Sequence, residues 1–282
     1  MSHQYNFQRV GFAQGLGWLP ASAEMMRRGF RPLAAIAALW LGVSLIVVIP
    51  LIGQVVLALI TPLLTAGVLL AFDRLGQRRV PEPTTLFAGW RDPMRRSGLL
   101  MLGVVAMAGG LAAALILASW LGAQLGEDQL EAALQSPEAL AEALTGVSLA
   151  GGFLLAGAVL GLVLAGLYFA IPLIMFGRAP TLTAFITSIK AVVANWLAFV
   201  GYLIALLAVV IGLVIIVLLV TSFLTLALGP VGAFIAQILL LLVAMLFQVL
   251  QAGAQYLAFS QIFGWSPGLE EEDAGDDDNV VI

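Results

Sequence analysis

Cysteine is absent from the 282 residues, and histidine occurs once, as His3. The first absence excludes disulfides, thiolate nucleophiles and thiolate metal sites. The second leaves no imidazole for a Ser–His pair or a His–Glu metal centre beyond the N-terminal tail. Charge is scarce too. Asp, Glu, Lys and Arg together make up 10% of the chain, where a soluble domain carries about 25%. Between the ends of its apolar runs there is no Asp, Glu, Lys, Arg or His, which disfavours proton-coupled pumps, carriers of charged substrates, intramembrane proteases and metal enzymes. What is there instead is apolar. Hydrophobic residues make up 62% of the chain, the mean hydropathy is +1.08, and several runs exceed the roughly 18 residues that mark a spanning helix. The composition fits an all-α polytopic membrane protein. The first run, from Leu33, follows a polar and basic lead and lacks a small-x-small cleavage site, so it reads as a retained span.

Six spans are expected, at about 33–49, 51–72, 98–122, 148–176, 197–222 and 231–258. Pro50 and Gly53 make a tight corner between the first two, and Gly229-Pro230 between the last two. With six spans, all twelve Lys and Arg residues fall on one side. Lys/Arg bias makes that side cytoplasmic, with both termini inside. The opposite side carries no base, and its long loop from Gly122 to Ser148 holds Glu127, Asp128, Glu131, Glu138 and Glu142. That loop reads as helical, with Leu130/Leu134 and Leu140/Leu144 pairs and a helix start at Ser136-Pro137, and as a solvated cap rather than a cation site. The chain therefore divides into a cytoplasmic segment 1–32, a spanning domain 33–265 and an acidic tail 266–282, which is expected to be disordered.

The basic segments share a plan. Leu19–Pro32 sets Glu24, Arg27, Arg28 and Arg31 at helix spacing, with Met26 and Phe30 away from them. Pro83–Gly98 places Leu86, Trp90 and Met94 on one face and Arg91 and Arg95 on another. Pro93 kinks or ends that turn. Pro180–Trp196 carries an apolar stripe of Leu182, Phe185, Ile186, Ile189, Val193 and Trp196, with Thr183, Thr187 and Lys190 facing away. Thr84 and Thr181 are candidate N-caps. The chain thus reads as six spans in three hairpins, each preceded by a short amphipathic cytoplasmic helix. The ends of the first and third hairpins also rhyme, TAGVLLAF (65–72) against QAGAQYLAF (251–259). Amphipathic helices of this kind lie in the headgroup plane, and each base near an anionic surface adds about 1 kcal/mol at most. The plain role is topology and anchoring; the sharper one is an anionic-lipid contact at Arg27, Arg28, Arg31, Arg91, Arg95, Arg96 and Lys190. Six bases beside Leu86, Phe87 and Trp90 loosely match a nucleic-acid patch, but a site between two spans argues for membrane lipid as the partner and against nucleic acid.

Two polar stripes cross the spans: Gln54, Thr61 and Thr65 in span 2, and Gln237, Gln248, Gln251 and Gln255 in span 6. Such residues usually form interhelical hydrogen bonds, worth about 0.6–2 kcal/mol each. The alternative is a polar lining for a neutral solute or a lipid headgroup, with Pro62 bending span 2. Small residues recur every four positions in span 3, through Gly110 and Ala114, and in span 4, through Gly157 and Gly161. They serve packing within the chain or a homo-oligomer. The Met107–Ala113 glycines lie inside a span and are no phosphate loop. Span 5, with its run Val209–Val220, is expected to face lipid. No cofactor is expected.

Gly17-Trp18, PLIG (50–53), LITPLLTAG (59–67), LFAGW (86–90) and Asn195-Trp196 together resemble a family of bacterial multi-pass inner-membrane proteins of unknown function. That family is distantly similar to the membrane domain attached to some glycerophosphodiester phosphodiesterases. The resemblance covers most of residues 15–265 but not the acidic loop or tail. It implies topology and a bacterial inner-membrane location, and no catalytic residue. Two functions follow as expectations: a non-enzymatic membrane protein that contacts lipid or scaffolds a partner, or a transporter or channel for a neutral or lipid-like substrate.

Overall fold

The computed structural model describes residues 6–125, 136 and 148–266. Among these residues the ordered elements are all helical. In chain order they are α1 (Phe12–Arg28), α2 (Phe30–Ser44) continued by a 3-10 turn (Leu45–Val48), α3 (Ile52–Gly76), a 3-10 segment (Pro83–Trp90), α4 (Pro93–Leu125), α5 (Ala150–Met175), α6 (Thr181–Ala194), α7 (Trp196–Leu228) and α8 (Pro230–Phe263). Six stretches are long and apolar enough to cross a membrane: Phe30–Val48, α3, α4, α5, α7 and α8. The protein is an all-α polytopic bundle. The expected helix in the loop (Leu130, Leu134, Leu140, Leu144) and the 266–282 tail, apart from Ser136 and Ser266 themselves, lie outside the described residues.

The two tight corners have different geometry. Leu51 sits at φ 62°, ψ −61°, and the Ile52 N–H donates to the Pro50 carbonyl at 2.7 Å, a three-residue γ-turn. At the other corner Gly229 takes φ 58° and Pro230 opens α8, where its missing N–H costs nothing. The last hairpin is longer than expected: α7 and α8 have 33 and 34 residues. At 1.5 Å per residue each is about 50 Å long, well beyond a hydrocarbon core of about 30 Å.

The segments ahead of the spans depart from the sequence reading in three ways. The first helix is α1, Phe12–Arg28, and it stops at Gly29 rather than running to Pro32. The second is not one helix: Pro83–Trp90 is 3-10, and Pro93 opens α4 instead of kinking it. The Asp92 carboxylate caps that start, accepting the Met94 N–H at 2.8 Å. Neither threonine is a cap. Glu82 and Pro180 hold those positions, and Thr84 Oγ1 instead donates to Glu82 Oε2 at 3.1 Å.

The packing of these three segments is cyclic. Helix α1 lies across α7 and α8, the hairpin of the third unit. The 3-10 segment lies on α3 and α2, the hairpin of the first. Helix α6 lies on α5, in the hairpin of the second. Helices α3, α5 and α8 also touch one another in pairs. Each seat is made by an Ala-Gly pair: Ala66-Gly67, Ala165-Gly166 and Ala252-Gly253. A Cβ on Gly67 would collide with the Leu86 carbonyl, one on Gly166 with the Phe185 ring, and one on Gly253 with Ser22 Oγ and Phe72. Each incoming segment also buries one hydroxyl, Ser22, Thr85 or Ser188. Each stands eight residues ahead of the next span's first residue, Phe30, Pro93 or Trp196. Ser22 Oγ donates to the Leu250 carbonyl at 2.7 Å. Ser188 Oγ donates to the Ala165 carbonyl at 2.5 Å and accepts the Phe169 N–H at 2.8 Å. Thr85 Oγ1 accepts from Arg74 Nη1 at 2.9 Å. The three units are therefore related by packing as well as by pattern.

Most of the core lies at the end that carries the bases. Trp18, Phe72, Phe169 and Phe259 are fully buried there, whereas α7 buries only Ala198, Gly201 and Tyr202. Its Val209–Val220 run buries nothing, as the span-5 expectation requires. Spans 3 and 4 meet through a neighbouring face from the one anticipated. Gly109 sits against Val163 and Ala113 and Ala156 are buried. Gly110, Ala114, Gly157 and Gly161 are exposed, and the three glycines among them have nothing within 4 Å of an added Cβ. They take no part in packing within the chain. We expect Gly67→Val and Gly166→Val each to destabilise the protein by at least about 1–3 kcal/mol, the usual cost of overpacking, while Gly157→Val leaves it unchanged. Thermal unfolding in detergent checks this, and equal losses at all three positions would rule out the seats.

Candidate functional site at the basic end

Aromatic side chains close the bundle at this end. Phe176 stacks on Trp265, with centroids 5.1 Å apart, and on Phe259 at 5.8 Å. Phe199 meets Trp18 edge-on at 5.5 Å and Tyr168 at 5.1 Å. Such contacts contribute about 0.5–1.5 kcal/mol apiece beyond area.

Within this layer sits a buried carboxylate. Asp73, in the last turn of α3, is 4% exposed. Its Oδ1 accepts from the Tyr256 hydroxyl at 3.0 Å and from Trp265 Nε1 at 3.1 Å. Its Oδ2 accepts from Gln77 Nε2 at 2.7 Å. Asp73 thereby ties span 2 to span 6 and to the residues just past it. One signal pointed to it: it directly follows the 65–72 stretch that rhymes with 251–259.

The N-terminal residues form a strap over the same end. The Gln8 N–H donates to the Ile262 carbonyl at 2.8 Å, and Phe7 packs edge-on to Phe263. Asn195, buried in the break between α6 and α7, accepts the Val10 N–H at 2.7 Å. Its amide donates to the Gln8 carbonyl at 3.2 Å. Trp18 Nε1 donates to Gln261 Oε1 at 2.8 Å. Asn195 entered the sequence reading only as half of an Asn-Trp motif.

The candidate lipid-contact bases divide into two groups. Arg27 and Arg28 both pair with Glu24, at 2.9 and 3.0 Å. Arg95 lies 3.5 Å from Asp92 with its side chain largely covered. Arg31, Arg91, Arg96 and Lys190 are exposed. Lys190 is joined by Arg9, which the sequence reading used only for topology. With Ile189, Val193, Ala194 and Trp196 they line an open groove of about 520 Å³. Neither cation has a carboxylate partner among the described residues.

Helix α6 explains the groove's apolar wall. Ala184, Ser188 and Ala191 face the bundle and are buried. Across the helix, Leu182, Val193 and Trp196 are 71%, 63% and 60% exposed. These small residues, with the Phe185 ring against Gly166, hold α6 to the protein, so the expected stripe is split and Leu182, Ile186 and Val193 stay outward.

The polar stripes are dispersed rather than gathered. Gln54 and Gln237 are exposed, and Gln248 and Gln251 half-buried. Thr61 Oγ1 donates to the Leu57 carbonyl at 2.7 Å and Thr65 Oγ1 to that of Thr61 at 2.9 Å, both within α3. Gln255 alone among them is buried, and its Nε2 donates to the Tyr168 carbonyl of α5. No protein family, curated protein or solved structure matches the chain.

Arg27 and then Arg28, hydrogen-bonded to Glu24, lower its carboxyl from 4.5 to about 2. The N–H of Met94 holds the Asp92 carboxyl below its ordinary range. A folded-state value below the unfolded one stabilises above the unfolded value and loses that stabilisation as pH falls. Wild type should therefore lose more thermal stability than Glu24→Gln between pH 5 and pH 2. Parallel curves would remove Glu24 as a contributor. Asp73→Ala strands the buried Tyr256 hydroxyl, at about 1–3 kcal/mol, and the half-buried Trp265 N–H. Asp73→Asn keeps one acceptor oxygen, and unfolding midpoints should fall less for it than for Asp73→Ala.

Proposed function

We propose that this is a non-enzymatic integral protein of a bacterial inner membrane. Its basic end faces the cytoplasm and engages anionic lipid there. The observation that carries the reading is α6, where Leu182, Ile186 and Val193 lie outward beside Lys190 while Ala184, Ser188 and Ala191 hold the opposite face to the bundle. That is the arrangement of a helix resting in a headgroup layer. The location and the family come from the resemblance of Pro50–Gly53, Leu59–Gly67 and Leu86–Trp90. The hydrogen bonds that engage Thr61, Thr65 and Gln255 favour this role over a solute path between spans 2 and 6.

Because the chain has no cysteine, single-cysteine labelling tests the orientation directly. Ser97→Cys, at the basic end, should stay unlabelled by an impermeant maleimide in intact cells, and Thr225→Cys, at the far corner of the last hairpin, should label. The opposite pattern would overturn the orientation. Removing Arg27, Arg28, Arg95 and Arg96 together should lower the anionic fraction of copurified lipid. An unchanged fraction would end the general lipid role of those bases.

A further inference from the structure

We propose that Arg9, Lys190 and Trp196 form a discrete site for the phosphate of one anionic phospholipid. This deepens the lipid reading above and rests on it. Four features of the groove lead to it. It is composite, because Arg9 comes from the N-terminal strap while the other lining residues come from α6 and the start of α7. Asn195 fixes the strap by bonding the backbone on both sides of Arg9, through Gln8 and Val10. Both cations are free of carboxylates among the described residues. The rest of the lining is apolar, and Val193 and Trp196 belong to the outward stripe.

A soluble anion would use the cations and leave that wall idle. A neutral lipid would use the wall and leave two charges unmet. An anionic phospholipid uses both. The guanidinium takes two phosphate oxygens, the ammonium adds a point charge, and Val193 and the Trp196 ring meet the glycerol and upper acyl region, where indoles concentrate. The unit comparison explains why the site occurs in this place. With Ser22, Thr85 and Ser188 superposed by their distance from the next span, Lys190 corresponds to Glu24 in the first segment and Phe87 in the second. The first position neutralises its neighbouring arginines and the second carries no charge, which leaves the third as a cation.

Native mass spectrometry of the full chain, titrated with dioleoyl phosphatidylglycerol, tests this. Wild type should keep one tightly held phosphatidylglycerol and bind dioleoyl phosphatidylcholine weakly. Arg9→Gln with Lys190→Gln should weaken the tight adduct about thirtyfold, the scale set by two interfacial charges. Arg178→Gln, an exposed base ahead of α6 and outside the groove, should change it less than about twofold. Equal binding by wild type and the double variant overturns the site, as does an equal loss in Arg178→Gln, which would mark diffuse attraction. Displacement by millimolar inorganic phosphate would assign the cations to a soluble anion, and equal retention of phosphatidylcholine would assign the groove to any lipid. A dimer that dissociates in the double variant would assign it to a second copy. Each of these three overturns the proposal. Loss of the tight adduct with unchanged bulk anionic enrichment would support the site alone. The reverse would leave only the general lipid reading.

Discussion

Inside a bilayer an apolar helix is as well solvated by lipid tails as by another apolar helix. The hydrophobic effect cannot hold six spans together, and whatever does must come from close backbone approach, hydrogen bonds and contacts outside the hydrocarbon. All three are concentrated at one end of this protein. The Ala-Gly seats on α3, α5 and α8 admit a crossing segment to contact distance. Ser22, Ser188 and Thr85 bond across those crossings. The aromatic layer around Phe176 and Phe259 closes over them. Away from this end the spans bury little: α7 has no buried residue beyond Tyr202.

Span count and segregation of the bases were legible in the sequence because each follows from a one-dimensional quantity, the length of an apolar run or the position of Lys and Arg. The three hairpins and the rhyme at 65–72 and 251–259 were legible for the same reason. Which face of a span packs was not. An every-four stripe of small residues runs through Gly110 and Ala114, yet the contact uses Gly109 and Ala113 one position away. In a helix where both faces are apolar, composition does not distinguish a neighbour from lipid. The same blindness hid the seats, since Ala-Gly at 165–166 looks like any other small pair until Phe185 is seen against it.

The site was half legible. Lys190 and the stripe of α6 follow from helical spacing. Arg9 does not, because its place depends on two bonds to Asn195, 185 and 187 residues away in the chain. The role of Asp73 was hidden for a related reason. A carboxylate at the end of an apolar run looks solvated when its donors, Tyr256 and Trp265, lie 183 and 192 residues further on.

The cyclic seating has a consequence for the order of assembly. Helix α1 leaves the ribosome before α7 and α8, from which its seat is built. The second and third segments meet seats that have already been made. The first must wait, unpartnered, with Trp18 and Leu19 uncovered, until the final hairpin is inserted. Ring closure by α1 therefore comes only after all six spans have been made. A chain halted before α8 retains the seats for the 3-10 segment and α6 and lacks the Ala252-Gly253 crossing at which α1 would finish the circle.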